Sequence, residues 1–243
     1  MGINSTADEW ADARCEFIKI VSLAYKSNKI RNAYFKMKVL IFGVTGASGR
    51  CLMDQALALG YKVTAFARNP SAIRFEHEQL SVVRGDVLDP VSVDAAMVGQ
   101  DAVLCALGVK SFSATTVLST GTKNIVAAME KSGTRRIVCE SSLGVGDSRE
   151  QAGFFFGKIV VPLVFKGLFE DKERQENVLC QSNLDWVIVR PARLTNGPKK
   201  GKYRAVTDNS PVGSEISRAD VAAFMLEQLT SDQYLRKTVA IAY

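Results

Sequence analysis

The stretch Val39-Leu40-Ile41-Phe42-Gly43-Val44-Thr45-Gly46-Ala47-Ser48-Gly49 decides the reading of this chain. The apolar run Val39 to Val44 predicts a buried strand, and Gly49 to Leu59 a helix closed by Gly60, a natural left-handed cap. Between them the glycines are spaced G-x-x-G-x-x-G, and each has a physical task. Gly43 permits the tight turn, Gly46 lets the backbone approach a phosphate, and Gly49 lets the helix pack close to the sheet. Thr45, Gly46, Ala47, Ser48 and Gly49 then surround the free N–H groups at the helix start, where a diphosphate sits. In a strand-turn-helix context at the head of a first βαβ unit, the pattern predicts dinucleotide binding.

Downstream of this turn, short apolar runs alternate with helix-like segments. Strands are expected at Tyr61 to Ala67, Leu80 to Val83, Asp101 to Leu107, Arg136 to Glu140 and Trp186 to Val189. Helices are expected at Val91 to Val98, Ser119 to Ser132 ended by Gly133, and Glu170 to Cys180. The tail carries a short β element near Tyr203 to Val206, a helix from Ser217 to Thr230 and a closing strand at Thr238 to Ile241. This order specifies α/β class: a single-domain Rossmann-type doubly wound parallel sheet over residues 37–243, with a small C-terminal extension on the substrate side. Residues 1–36 read differently, with a polar start, an apolar stretch from Phe17 to Tyr25 and a basic run to Lys36. They are expected to form a partly helical or disordered extension. Acidic residues at its start and Lys19 within its apolar stretch argue against a signal peptide.

Composition narrows the chemistry. The 243 residues are 47% hydrophobic, enough for one sizeable core. The net charge of +6 comes from 31 basic residues scattered among 25 acidic ones, so no nucleic-acid partner is expected, although an anionic ligand is drawn in. Five separated cysteines form no CxxC pair, which predicts reduced thiols in a cytoplasmic protein rather than zinc or disulfides. The single histidine, His77, lies in a polar run, so metal binding and histidine-base catalysis are not expected. No apolar stretch reaches the ~20 residues of a membrane span.

Further candidate residues fall at strand ends. Arg68, closing the second strand, stands where an aspartate would bond the ribose hydroxyls of NAD; its planar cation suits a 2′-phosphate instead, so NADP(H) is the expected cofactor. Arg74 is a candidate second contact. Asp86, followed by Val87, is placed either to bond adenine or to form an Asx turn or helix cap. Leu107 and Gly108 end the fourth strand beside the expected ribose. Lys110 fits a phosphate contact, although a solvated lysine is the simpler account. Ser142, after the fifth strand, is placed to bond the nicotinamide or the substrate; with no nearby histidine it is a poor nucleophile.

Several stretches in order carry a family resemblance: Ile41 to Gly46, Gly85-Asp86-Val87-Leu88, Gly99 to Val103, Asn124 to Met129, and Phe224-Met225-Leu226. Residues 37–243 resemble the atypical short-chain dehydrogenases that include NmrA-like proteins, and most of all their NADPH-dependent flavin reductase and biliverdin-IXβ reductase branch. The resemblance implies hydride transfer to flavins or bilins with little acid–base machinery. It implies cofactor contacts at Thr45, Gly46, Arg68, Asp86, Leu107, Gly108 and Ser142, with Ser142 matching the active-site serine. Where that branch carries histidines near the substrate, this chain has Glu176 and Arg193, which are expected on the substrate side.

The Tyr-x-x-x-Lys spacing of ordinary short-chain dehydrogenases occurs at Tyr25 to Lys29 and at Tyr34 to Lys38, both with the tyrosine upstream of the first strand, and the residue four before Lys172 is Leu168. A phenol acid for carbonyl reduction is therefore not expected. A planar conjugated acceptor that takes hydride without strong protonation, such as a flavin, bilin or quinone, fits better. The apolar run Phe154 to Phe165 is either a lid whose rings stack on such an acceptor, or core packing or a subunit contact. The expected activity is an NADPH-dependent reductase, monomeric or weakly self-associating. The alternative is an NmrA-like sensor that binds NADP(H) without turnover.

Overall fold

The computed structural model describes residues 37–74, 76–109, 116–149, 151, 165–208 and 210–243. The expected extension over 1–36, Lys110 and nearly all of the run from Phe154 lie outside the described residues.

The elements follow in the order β1 (Lys38–Phe42), α1 (Ala47–Ala58), β2 (Lys62–Ala67), β3 (Leu80–Arg84), α2 (Pro90–Met97), β4 (Ala102–Cys105), α3 (Val117–Ser132) and β5 (Arg136–Glu140). They continue with α4 (Lys166–Cys180), β6 (Asp185–Pro191), β7 (Arg193–Thr195), β8 (Arg204–Val206), β9 (Glu215–Ser217), α5 (Arg218–Glu227) and β10 (Lys237–Ala242). An eight-stranded sheet runs β3-β2-β1-β4-β5-β6-β10-β8, parallel except for β8, which lies antiparallel to β10 at one edge. The chain starts at β1, winds outward to β3, then returns to β4 on the other side of β1. That reversal opens a crevice beyond the carboxyl ends of β1 and β4, the position where open α/β sheets bind ligands.

Side chains alternate across the sheet because strand residues point to opposite faces. Leu40, Phe42, Val103, Cys105, Ile137, Cys139 and Ile188 pack with Met97, Ile125, Met129 and Leu179 into one buried cluster beneath α2, α3 and α4. The opposite face is covered by α1 and α5, which pack against each other. Two boundaries differ instructively from the sequence reading. β1 stops at Phe42 rather than Val44, because Gly43 takes φ +80°, outside the strand region. α3 starts at Val117 rather than Ser119, because fully buried Asp171 of α4 accepts from the backbone N–H of Leu118 (2.9 Å) and Ser119 (3.2 Å). This is a cap supplied by a different helix. The pairing of β7 with β9 as a separate two-stranded sheet has no signature in the local pattern.

Candidate functional site

The β1–α1 turn builds the floor of the crevice. A Cβ on Gly43 would fall 2.5 Å from the carbonyl carbon of Ala106 and nearer to its oxygen, so this glycine also lets β4 run close by. The Gly46 N–H donates to Gly43 O at 2.9 Å, closing the turn, and Gly46 caps α1 without a side chain. A Cβ on Gly49 would lie 2.7 Å from Val44 Cα; what this glycine admits is the turn itself, folded back on the helix, more than the sheet. The first N–H groups of a helix have no intrahelical acceptor. Here Thr45, Gly46 and Ala47 are exposed, Ser48 is half-buried, and no acidic residue stands in the first turn of α1. A helix start with no acidic residue of its own, next to side-chain-free backbone, fits the diphosphate of a dinucleotide.

Beside this turn opens a cleft of about 680 Å³ lined by Val44, Arg50, Met53, Asp54, Asn69 and Arg74 among others. Arg68 is exposed at the end of β2, next to the lining residue Asn69. The cations that line the cleft are Arg74, singled out from sequence, and Arg50, which was not. The available signal was position: Arg50 directly follows Gly49 in the first turn of α1. Burial pushes the Asp54 carboxyl upward, with the Arg50 charge opposing it.

Asp86 forms the Asx turn that was one of its two readings: its Oδ1 accepts from the Leu88 N–H at 3.0 Å. The adjacent Val87 is buried, its carbonyl accepting from Asn124 Nδ2 at 2.9 Å and its methyl groups lying against Gly121. Leu107 is half-buried and Gly108 exposed just after β4, facing the same crevice edge.

At the end of β5, three consecutive polar residues do three different things. Ser142 is half-buried, and its Oγ donates only to the adjoining Leu143 carbonyl at 3.2 Å among the described contacts. Ser141 is buried and donates to Glu176 Oε1 at 2.5 Å. Glu140 is 6% exposed and accepts from Ser48 Oγ of α1 at 2.9 Å. Burial raises the Glu140 carboxyl above its ordinary range, against the opposing charge of Lys172, the Ser48 hydrogen bond and the charge of Arg218.

Glu176, expected on the substrate side, is 6% exposed and held in a fork by Arg190, Nε to Oε1 at 3.0 Å and Nη2 to Oε2 at 2.6 Å. Arg190 follows Ile188 on the α4-facing side of β6, so α4 must offer it a counter-charge, and its remaining arm reaches Asp147 at 2.5 Å. Arg193 is exposed and paired with Glu215 across β7 and β9. Leu168 packs with Val145 and Phe169 in a small apolar cluster, so no hydroxyl stands four residues before the half-buried Lys172.

Among the described residues, no helix is long and apolar enough to cross a membrane. Known proteins share this architecture. The chain is 29% identical over 239 residues to an uncharacterised chloroplastic protein of Arabidopsis thaliana, covering 93% of this chain and 83% of the relative. It is 27% identical over 218 residues to the photosystem II assembly factor Ycf39 of Synechocystis, covering 84% of this chain but 62% of that relative's length. Among solved structures, the anaerobilin reductase ChuY of Escherichia coli O157:H7 superposes with a TM-score of 0.71 at 25% identity, over 84% of this chain and 96% of its own. A Rossmann-fold NAD(P)-binding protein from Shigella flexneri does so at 0.67 and 25% identity, over 85% and 93%. Residues 43–232 match the NAD(P)H-binding family, and the chain belongs to that family.

Proposed function

We propose that this protein is an NADPH-dependent reductase of a planar conjugated acceptor, a flavin, bilin or quinone. The observation that carries the reading is Leu168: the residue four before Lys172 packs into an apolar cluster, so that lysine has no phenol partner at the Tyr-x-x-x-Lys spacing. An acceptor whose extended π-system delocalises the incoming charge has least need of that acid. Similarity to a structure described as an anaerobilin reductase supports the same class.

In this reading the residues from Gly43 to Gly49 hold the diphosphate, and Arg68, Arg50 and Arg74 surround the 2′-phosphate that distinguishes NADPH from NADH. Asp86 and Val87 flank the adenine side, while Leu107 and Gly108 give the nicotinamide ribose room. The bound cofactor supplies the hydride. Ser142 orients the reacting rings, so that proximity provides most of the acceleration. Glu176 acts at one remove, by fixing Ser141 and the end of β5, and Arg193 stands on the substrate-side rim. The free thiols Cys51, Cys105, Cys139 and Cys180 support a reducing compartment such as the cytoplasm, with the protein monomeric or weakly self-associating.

The test follows NADPH oxidation by absorbance while FMN, a quinone and biliverdin are added in turn. Turnover with any of them supports the proposal. Tight NADPH binding without turnover on all three overturns it in favour of an NADP(H)-binding sensor, the reading that the missing acid also favours.

A further inference from the structure

Glu140 places a carboxyl under the same helix start that receives the cofactor's diphosphate. It is buried at the carboxyl end of β5, on the face covered by α1 and α5, and its one hydrogen bond to a side chain among the described contacts comes from Ser48, in the first turn of α1. Here Ser48 donates its hydroxyl proton to Glu140. An ionised Glu140 would therefore share the favourable field of the helix start with the diphosphate, and two anions sharing one helix terminus oppose each other.

We infer that binding of the cofactor's diphosphate is coupled to uptake of one proton from solvent by Glu140, with Ser48 as the link between them. On protonation the carboxyl becomes a donor to Ser48 Oγ. The serine then turns its own proton to a phosphate oxygen, and one buried negative charge is removed as another arrives. The groups around Glu140 set how readily this happens. Ser48 and Cys51 face it from α1, Arg218 from α5 and Lys172 from α4 across the sheet edge; the two cations hold its proton off and burial favours the proton.

This inference rests on cofactor binding at the α1 turn, and the experiment separates the two. Isothermal titration of the full chain with NADPH, between pH 6 and 8.5 in phosphate and in Tris, gives the protons taken up per cofactor from the dependence of heat on the buffer's own protonation enthalpy. Wild type is expected to take up more protons than Glu140→Gln at the same pH; protons exchanged by the 2′-phosphate are common to both and cancel. Wild-type affinity should also fall with rising pH relative to the variant, by about tenfold where cofactor binding makes Glu140 about tenfold less acidic. Ser48→Ala, which breaks the link and leaves the backbone donors, should reduce the uptake, and it carries the comparison if Glu140→Gln fails to fold. Equal proton counts in wild type and variant overturn this inference alone; absence of any NADPH binding overturns the cofactor assignment as well.

Discussion

Replacing Gly49 by alanine sets two physical effects against each other. Gly49 is helical, and propensity alone makes alanine about 1 kcal/mol more favourable there. The structure reverses that sign. The added Cβ would lie 2.7 Å from both Gly43 C and Val44 Cα, and closer still to Gly43 O. Those atoms are backbone, held by the Gly46-to-Gly43 hydrogen bond and by β4 behind Gly43, and cannot swing aside as a side chain would. Overpacking of this kind costs about 1–3 kcal/mol or more. The net expectation is destabilisation by up to about 2 kcal/mol, a fall in Tm of up to roughly 8 °C for a domain of this size. NADPH affinity should fall by at least about tenfold, since the displaced turn is the phosphate cradle. Thermal melts and a fluorescence titration of NADPH measure both. Gly121→Ala is the packing control: its Cβ would meet the Val87 methyl groups at 2.8 Å, side chain rather than backbone, so the melt should shift less. A Gly49→Ala protein that melts higher than wild type and binds NADPH equally well would refute this account of the turn.

Charge reversal at the cleft tests the cofactor assignment: Arg68→Glu should weaken NADPH about 10–100-fold while leaving NADH nearly unchanged, and Arg50→Glu and Arg74→Glu should do so in the same direction. Equal losses for both dinucleotides would remove the arginines from 2′-phosphate recognition. Glu176→Ala leaves Arg190 buried without its fork partner and should cost about 3–5 kcal/mol in urea unfolding, whereas Glu176→Gln, which still accepts from Ser141, should cost less. An unchanged midpoint for the alanine variant would show the pair to be dispensable. Acid stability reports on Asp220: burial pushes its carboxyl up, but hydrogen bonds from the Lys200 N–H, the Tyr243 hydroxyl, the Gly201 N–H and Ser217 together hold it below the ordinary value. Its contribution is therefore present above the unfolded pKa of about 3.9 and lost as pH falls through the lower folded value. Asp220→Asn should flatten that acid arm of the stability profile; a variant with the wild-type slope below pH 4 would contradict it.

The legible parts of this protein are those written in local pattern. Alternating apolar runs and helical segments specify a parallel α/β sheet, and glycines at fixed spacing specify a turn in which Gly43 and Gly49 leave no room for a side chain. Strand interiors are legible for the same reason, since burial on both faces demands unbroken apolar runs. Helix starts are less so: α3 begins two residues early because its cap, Asp171, lies more than fifty residues away on α4. Substrate-side chemistry is the least legible. Glu176 reads as a free carboxylate until β6 brings Arg190 against it, and Arg50 reads as an ordinary helix residue until the end of β2 makes the other wall of a cleft.

What the sequence by itself determined is the fold class and the glycine turn between β1 and α1, because each rests on the conformational limits of residues adjacent in the chain. What only the tertiary structure decided is which charges are spent on one another and which remain for a ligand. Ser48 and Glu140 are 92 residues apart and share a hydrogen bond because α1 and the end of β5 meet at the sheet edge. Such pairings depend on strand order and helix packing, which bring distant side chains within a few ångströms, and no local periodicity encodes them.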